Sequence, residues 1–231
     1  MIRNLKILVA AAMALGVLGA FSASGAQAAE FHCSVEPCAG RLKPDETTGT
    51  KTAHHVFVVE NLTTTEAVSF TCSSLSGKGT VAVKKTTTEV EVGGAVGSAS
   101  ALVYSECTIN GSPGVTFDMN GCKYNFTVAG NVSITGCTNA AKQIEVTIPE
   151  CTFDIPEQGP LSGVTYHTIG TTPNREVTVS TNVHNIKINA TGSTSGCKIN
   201  PSQTLTVTDT TANSIVTGET PFGVMADAWW E

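Results

Sequence analysis

The chain has 231 residues, of which 14% are charged and only 6% aromatic, and 13 basic side chains stand against 19 acidic ones for a formal charge of −6. A mildly acidic chain without a basic block cannot neutralise a run of phosphates, which excludes nucleic acid as an expected partner and disfavours anionic lipid for the same reason.

At the N-terminus, Arg3 and Lys6 precede an apolar run over 7–21, and small and polar residues follow as far as Ala26-Gln27-Ala28. This layout predicts a secretory signal peptide over 1–28, cleaved after Ala28. The apolar run is shorter than the ~20 residues of a membrane-spanning helix and has no counterpart downstream, so no membrane span is expected after cleavage. Residues 29–231 then form an exported all-β domain with 11 basic and 19 acidic residues, a formal charge of −8. Secretion to the extracellular space is the expected location.

All eight cysteines, Cys33, Cys38, Cys72, Cys107, Cys122, Cys137, Cys151 and Cys197, lie beyond the cleavage point. An even count in an exported chain predicts disulfides rather than reactive thiols. Large side chains are scarce, so bridges contributing ~2–4 kcal/mol each would compensate for a thin core. Eight cysteines admit about a hundred connectivities. The sequential set is preferred: Cys33 with Cys38, Cys72 with Cys107, Cys122 with Cys137, and Cys151 with Cys197. Pairing of Cys107 with Cys122 and of Cys137 with Cys151 is its rival.

From residue 54 onward, short β-prone runs alternate with Gly, Asn, Pro and Ser, and no stretch keeps a helical period for three turns. Strands are predicted over 54–60, 67–72, 80–83, 101–106, 115–118, 122–128, 131–135, 144–148, 151–155, 163–168, 176–190 and 204–208. Ile144, Val146 and Ile148 alternate with polar neighbours, the pattern of antiparallel strands with one wet face. The fold class is therefore an antiparallel β-sandwich braced by disulfides. The Gly/Ser/Ala-rich stretch 93–100 reads as a loop or linker, and if the chain holds two β subdomains the boundary falls near 93–106.

Two details of register stand out. In 176–190, Val177, Val179 and Val183 share one parity while Ile186 and Ile188 take the other, so a bulge or break is expected near His184 and Asn185. At Ala129-Gly130-Asn131 a three-residue turn pairing Phe126 with Ile134 and Val128 with Val132 is preferred. A two-residue turn would set Phe126 against Ser133. Gly136 could bulge the strand end and bring Cys137 back to Cys122.

Candidate chemistry is sparse. His54 and His55 point to opposite faces of a strand, so a metal site would need His32, His167 or His184 as well, and ordinary core or surface histidines are the default. No metal or cofactor is expected. Gly192-Ser193-Thr194-Ser195-Gly196 misses the nucleophile-elbow pattern because Thr stands at its centre. Glu145 with Glu150, or Asp118 with Asp154, could serve a glycosidase, although solvated acids are the default. Matches to the N-glycosylation pattern at Asn61, Asn110, Asn125, Asn131 and Asn189 occur readily by chance in a Thr-rich chain. Trp229 and Trp230 would face opposite sides of a terminal strand, one plugging the sandwich and one offering a partner contact.

The segments FHCSVEPC, TAHHVFVVEN, NGCKYNF, PECTFDIPEQ and MADAWWE, which begin at Phe31, Thr52, Asn120, Pro149 and Met225, carry a resemblance. The chain looks like a group of secreted, cysteine-containing proteins of unknown function from soil actinobacteria. That resemblance implies a bacterial, exported, β-rich scaffold and supplies no catalytic residue. The expected function is a non-catalytic extracellular module that binds, adheres or associates with the envelope, its partner an extracellular ligand or protein. A secreted hydrolase acting on polysaccharide or peptide is the alternative.

Overall fold

In the computed structural model the described residues are 29–44, 55–60, 68–79, 86–94, 97–98, 101–149, 151–193, 203–209, 214–219 and 225–231. The expected strand 80–83, His54, Glu150, Cys197 and the Thr194-Ser195-Gly196 triplet lie outside them. The described residues form strands and turns, with no helix among them.

In chain order the first seven strands are β1 (Phe31–Cys33), β2 (Ala39–Pro44), β3 (His55–Glu60), β4 (Val68–Gly79), β5 (Thr86–Thr87), β6 (Glu89–Val92) and β7 (Val103–Ile109). The next seven are β8 (Ser112–Pro113), β9 (Thr116–Asp118), β10 (Lys123–Thr127), β11 (Asn131–Thr135), β12 (Gln143–Ile148), β13 (Cys151–Pro156) and β14 (Gln158–Ser162). Then come β15 (Val164–Ile169), β16 (Glu176–Lys187), β17 (Asn189–Ser193), β18 (Thr204–Asp209), β19 (Ser214–Glu219), β20 (Met225–Ala226) and β21 (Ala228–Trp230).

Every pairing is antiparallel, as one-sided alternation requires. The largest sheet runs β15-β16-β18-β3-β4-β2-β19-β20, and because β19 also pairs with β16 the six strands from β16 to β19 close on themselves. The long strands β4 and β16 make this closure, each pairing different neighbours along its two halves. Two four-stranded sheets, β14-β11-β10-β6 and β17-β13-β12-β9, complete the layers, and a ribbon β21-β1-β5 joins the chain ends.

One continuous hydrophobic cluster fills the space between sheets and takes residues from either side of 93–106, including Phe57, Phe70, Phe126 and Phe153. Phe57 and Phe70 stack at 4.9 Å and Phe117 tilts against Phe57 at 5.1 Å, so a few aromatics supply most of the large-residue packing. Disulfides join Cys33 to Cys38, Cys72 to Cys107 and Cys122 to Cys137. Cys151 is disulfide-bonded too, and no described cysteine is free.

Register follows the burial pattern, with one correction. The β10–β11 hairpin pairs Tyr124 with Ile134, Phe126 with Val132 and Thr127 with Asn131, which matches neither expected register. The loop has three residues but occupies 128–130, one position earlier than expected. Gly130 explains this: its φ of 76° is left-handed and its N–H donates to the Thr127 carbonyl at 3.0 Å, the closure of a three-residue loop. A side chain there would meet the Val164 carbonyl oxygen at 2.7 Å. Val128 leaves the ladder and donates its N–H to the Thr88 carbonyl instead. The apolar set still shares one face, because the shift from the expected pairing is two residues. Gly136, at φ 67°, turns the strand end where Cys137 meets Cys122.

The parity change in β16 is a bulge. Val183 pairs with Val207 and Ile186 with Leu205, the register slips between them, and Asn185 sits at φ 59°. Both apolar sets thereby face inward, while His184 and Asn185 are exposed.

Several short strands had no expected counterpart, among them β1, β2, β6, β8, β14 and β19. Most are too short, or too rich in Gly, Pro and charge, to show a period of two; β6 does alternate as Glu-Val-Glu-Val and was missed although its signal was readable. The β7–β8 hairpin had a readable signal: Asn110 and Gly111 both adopt positive φ, 51° and 76°, in a two-residue Asn-Gly turn.

Candidate functional site: an apolar cleft between the sheets

Alternation on β3 turns His55, Phe57 and Val59 inward, and on β18 it turns Leu205 and Val207 the same way. The β16 bulge adds Val179, Val183 and Ile186 to this wall. Phe126, Val132, Ile134 and Leu161 approach from β10, β11 and β14. The two walls do not close, and a cleft of about 70 Å³ remains between them. Its partly exposed members are Tyr104, Phe117, Tyr124, Leu161, Thr181 and Val207.

Polar groups at the cleft are few. The Tyr104 and Tyr124 hydroxyls lie 2.9 Å apart across the sheets and share a hydrogen bond. Tyr124 as a residue is only partly buried, yet burial of its hydroxyl pushes it up to about 12, against the smaller opposing pull of the Tyr104 hydrogen bond. His55, 3% exposed, sets its ring edge-on to Tyr104 at 5.8 Å between centroids. An apolar wall whose polar members are the two tyrosines, Thr181 and His55 favours a neutral guest, because a charge there would lose its hydration without a counter-ion. No family model, curated protein or solved structure matches the chain. The chemistry of the cleft therefore rests on its own residues.

The terminal tryptophans belong to a second cluster. Trp230 packs on the core, 6.0 Å from Tyr166, and its backbone N–H and carbonyl both engage the Thr168 hydroxyl. Its indole N–H is buried without a partner among the described residues. Trp229 stacks on His32 at 4.9 Å and carries the Arg175 guanidinium 3.7 Å from its ring centroid, so its π surface is already engaged within the fold. Asp227, 5% exposed, accepts from Arg175 through the backbone N–H at 2.7 Å and through Nη2 at 2.7 Å. That hydrogen bonding holds its carboxyl below the usual carboxylate range, against the opposing effect of burial, and raises the guanidinium. Backbone bonds between Glu30 and Glu231 close this clasp.

The remaining candidates are dispersed or aligned as follows. Among the described residues no three His, Cys, Asp or Glu side chains gather as metal ligands, and His32, His55, His167 and His184 sit on separate strands. Asp118, Glu145 and Asp154 stand in register across β9, β12 and β13 and so share one face of that sheet. Asp154 is 1% exposed, whereas the other two are exposed.

Sequence reasoning missed the cleft. Tyr124 and Phe126 lay within the expected strand 122–128 and Tyr104 within the expected strand 101–106. Nothing local to either segment says that their hydroxyls meet.

Proposed function

We propose that the protein is an exported, non-catalytic binding module that receives an extracellular apolar ligand in the cleft between its sheets. The cleft carries this reading: it is concave, lined by aliphatic and aromatic side chains, and marked by a few convergent polar groups, the usual make-up of a ligand site. Export is supported by the signal-like segment over 1–28 and by disulfides, which suit an oxidising compartment. The clasp begins at Glu30, so cleavage after Ala28 would leave it whole. No helix among the described residues is long and apolar enough to cross a membrane.

The binding test titrates the oxidised mature chain with toluene while following its melting temperature, which a ligand of the native state raises. A melting temperature moved neither by toluene up to its solubility limit nor by phenol would remove the cleft as a binding site. The export test is the N-terminal mass of protein recovered from the culture medium, with Ala29 the expected first residue. Protein confined to the cells with residues 1–28 attached would sink that part.

The row Asp118, Glu145 and Asp154 favours one second reading, a secreted hydrolase of polysaccharide or peptide. Turnover in a substrate panel that disappears in Asp154→Asn would replace the first reading with this one.

A further inference from the structure

We infer that the cleft selects a small neutral aromatic molecule bearing a single hydroxyl, a phenol-like ligand, over analogues that carry a methyl group or a carboxylate in its place. This rests on the reading of the cleft as a binding site and names the ligand class.

Size sets the first limit. At about 70 Å³ the cleft is about half the volume of an engineered apolar cavity that stays dry and takes up benzene. One ring is therefore an upper limit, and such a guest would lie partly outside the enclosed space.

The lining sets the second. Phe57, Phe117, Phe126 and the two tyrosines meet one another in tilted or edge-on pairs with centroids 4.4–6.3 Å apart. Such arrangements present ring edges and faces to the space between them, and another aromatic ring completes them better than an alkyl chain.

Tyr124 sets the third. A phenolic hydroxyl has one proton and two lone pairs, and the Tyr104 contact at 2.9 Å uses either the proton or one lone pair. Whichever way that proton lies, Tyr124, which lines the cleft, keeps hydrogen-bonding capacity. A hydroxyl on the guest both donates and accepts, so it matches either orientation. A carbonyl matches only one, and a carboxylate would bring an uncompensated charge against an apolar wall. The high affinity of Tyr124 for its own proton works in the same direction, since a neutral hydroxyl persists there at every physiological pH.

The test titrates the oxidised full-length mature chain with phenol, toluene and benzoate by calorimetry, and repeats the series on Tyr124→Phe. Phenol is expected to bind roughly fivefold to tenfold more tightly than toluene, the worth of one hydrogen bond, with benzoate silent. In Tyr124→Phe, phenol should fall to the level of toluene while toluene is unchanged. Toluene equal to phenol in the wild type, or benzoate binding as well as phenol, would overturn the selectivity and leave the binding reading standing. Failure of all three to bind would overturn the binding reading itself. Should Tyr124→Phe lose the wild-type melting profile, nuclear Overhauser contacts decide the matter in the wild type. Contacts from bound phenol to Tyr124 and Phe126 support the inference, and their absence with phenol bound overturns it.

Discussion

The core around the cleft and the clasp at the chain ends are both made of short antiparallel strands, but different forces hold them. Around the cleft, Phe57, Phe70 and Phe153 are almost wholly buried, and Cys72–Cys107 and Cys122–Cys137 tie neighbouring strands across the same cluster. At the clasp Phe31 and Trp230 anchor β1 and β21 on that core, a small separate cluster holds Cys33, Cys38 and Ala226 with Val35 beside them, and Arg175, Asp227, Trp229 and His32 add polar and stacking contacts. Apolar burial is insensitive to pH and weakly sensitive to salt, whereas a charge pair depends on both. One molecule thus contains a region that unfolds only when its packing fails and another that loosens when its charges are neutralised.

The largest expected break lies in the core. Phe57→Ala removes the ring that stacks on Phe70 and tilts against Phe117, and a large-to-small change at such a site costs about 3–5 kcal/mol, read from denaturant unfolding. Removing the Cys72–Cys107 bridge with a double Ser substitution releases a loop of sequence separation 35. The chain-entropy account gives a loss of about 4 kcal/mol there, and about 2 kcal/mol for Cys33–Cys38, whose separation is 5. Equal losses at the two bridges would refute the entropic difference between the regions.

At the clasp the sharper probe is pH. The Asp227 carboxyl titrates below its ordinary range because Arg175 bonds its charged form. Its contribution is therefore complete above the unfolded carboxylate value and is lost as pH falls below about 4. Exchange protection of the Glu30 and Glu231 amides should fall through that window while amides of β3 and β18 keep theirs. Arg175→Gln should abolish the difference between pH 5 and pH 3 at the clasp. Simultaneous loss at both regions would show that they unfold as one unit. The smallest expected effect is at the β16 bulge. Asn185→Val places a β-branched residue at φ 59° and should cost about 1–2 kcal/mol, whereas Asn185→Gly should be close to neutral.

Legibility in the sequence followed the length of each signal. The parity change between Val183 and Ile186 announced the β16 bulge, because a period of two leaves no other way to bury both sets. The β10–β11 loop was misplaced by one residue because 128–130 and 129–131 both keep Phe126 on the apolar face. Only the left-handed Gly130 under Val164 separates them. That one of Trp229 and Trp230 would plug the core could be foreseen, whereas which of them does so, and the engagement of Trp229 by Arg175 across 54 residues, had no local trace.

Composition and alternation by themselves determined that this chain makes antiparallel sheets with one dry face and few large residues to fill them, since side-chain direction along a strand is a local property. Which strands meet was decided in three dimensions. The long strands β4 and β16 bind different neighbours along their halves, and the facing walls they complete leave the cleft where Tyr104 and Tyr124 touch. Pairing partners and the gap between two packed sheets depend on the sum of many distant contacts, which no single segment encodes.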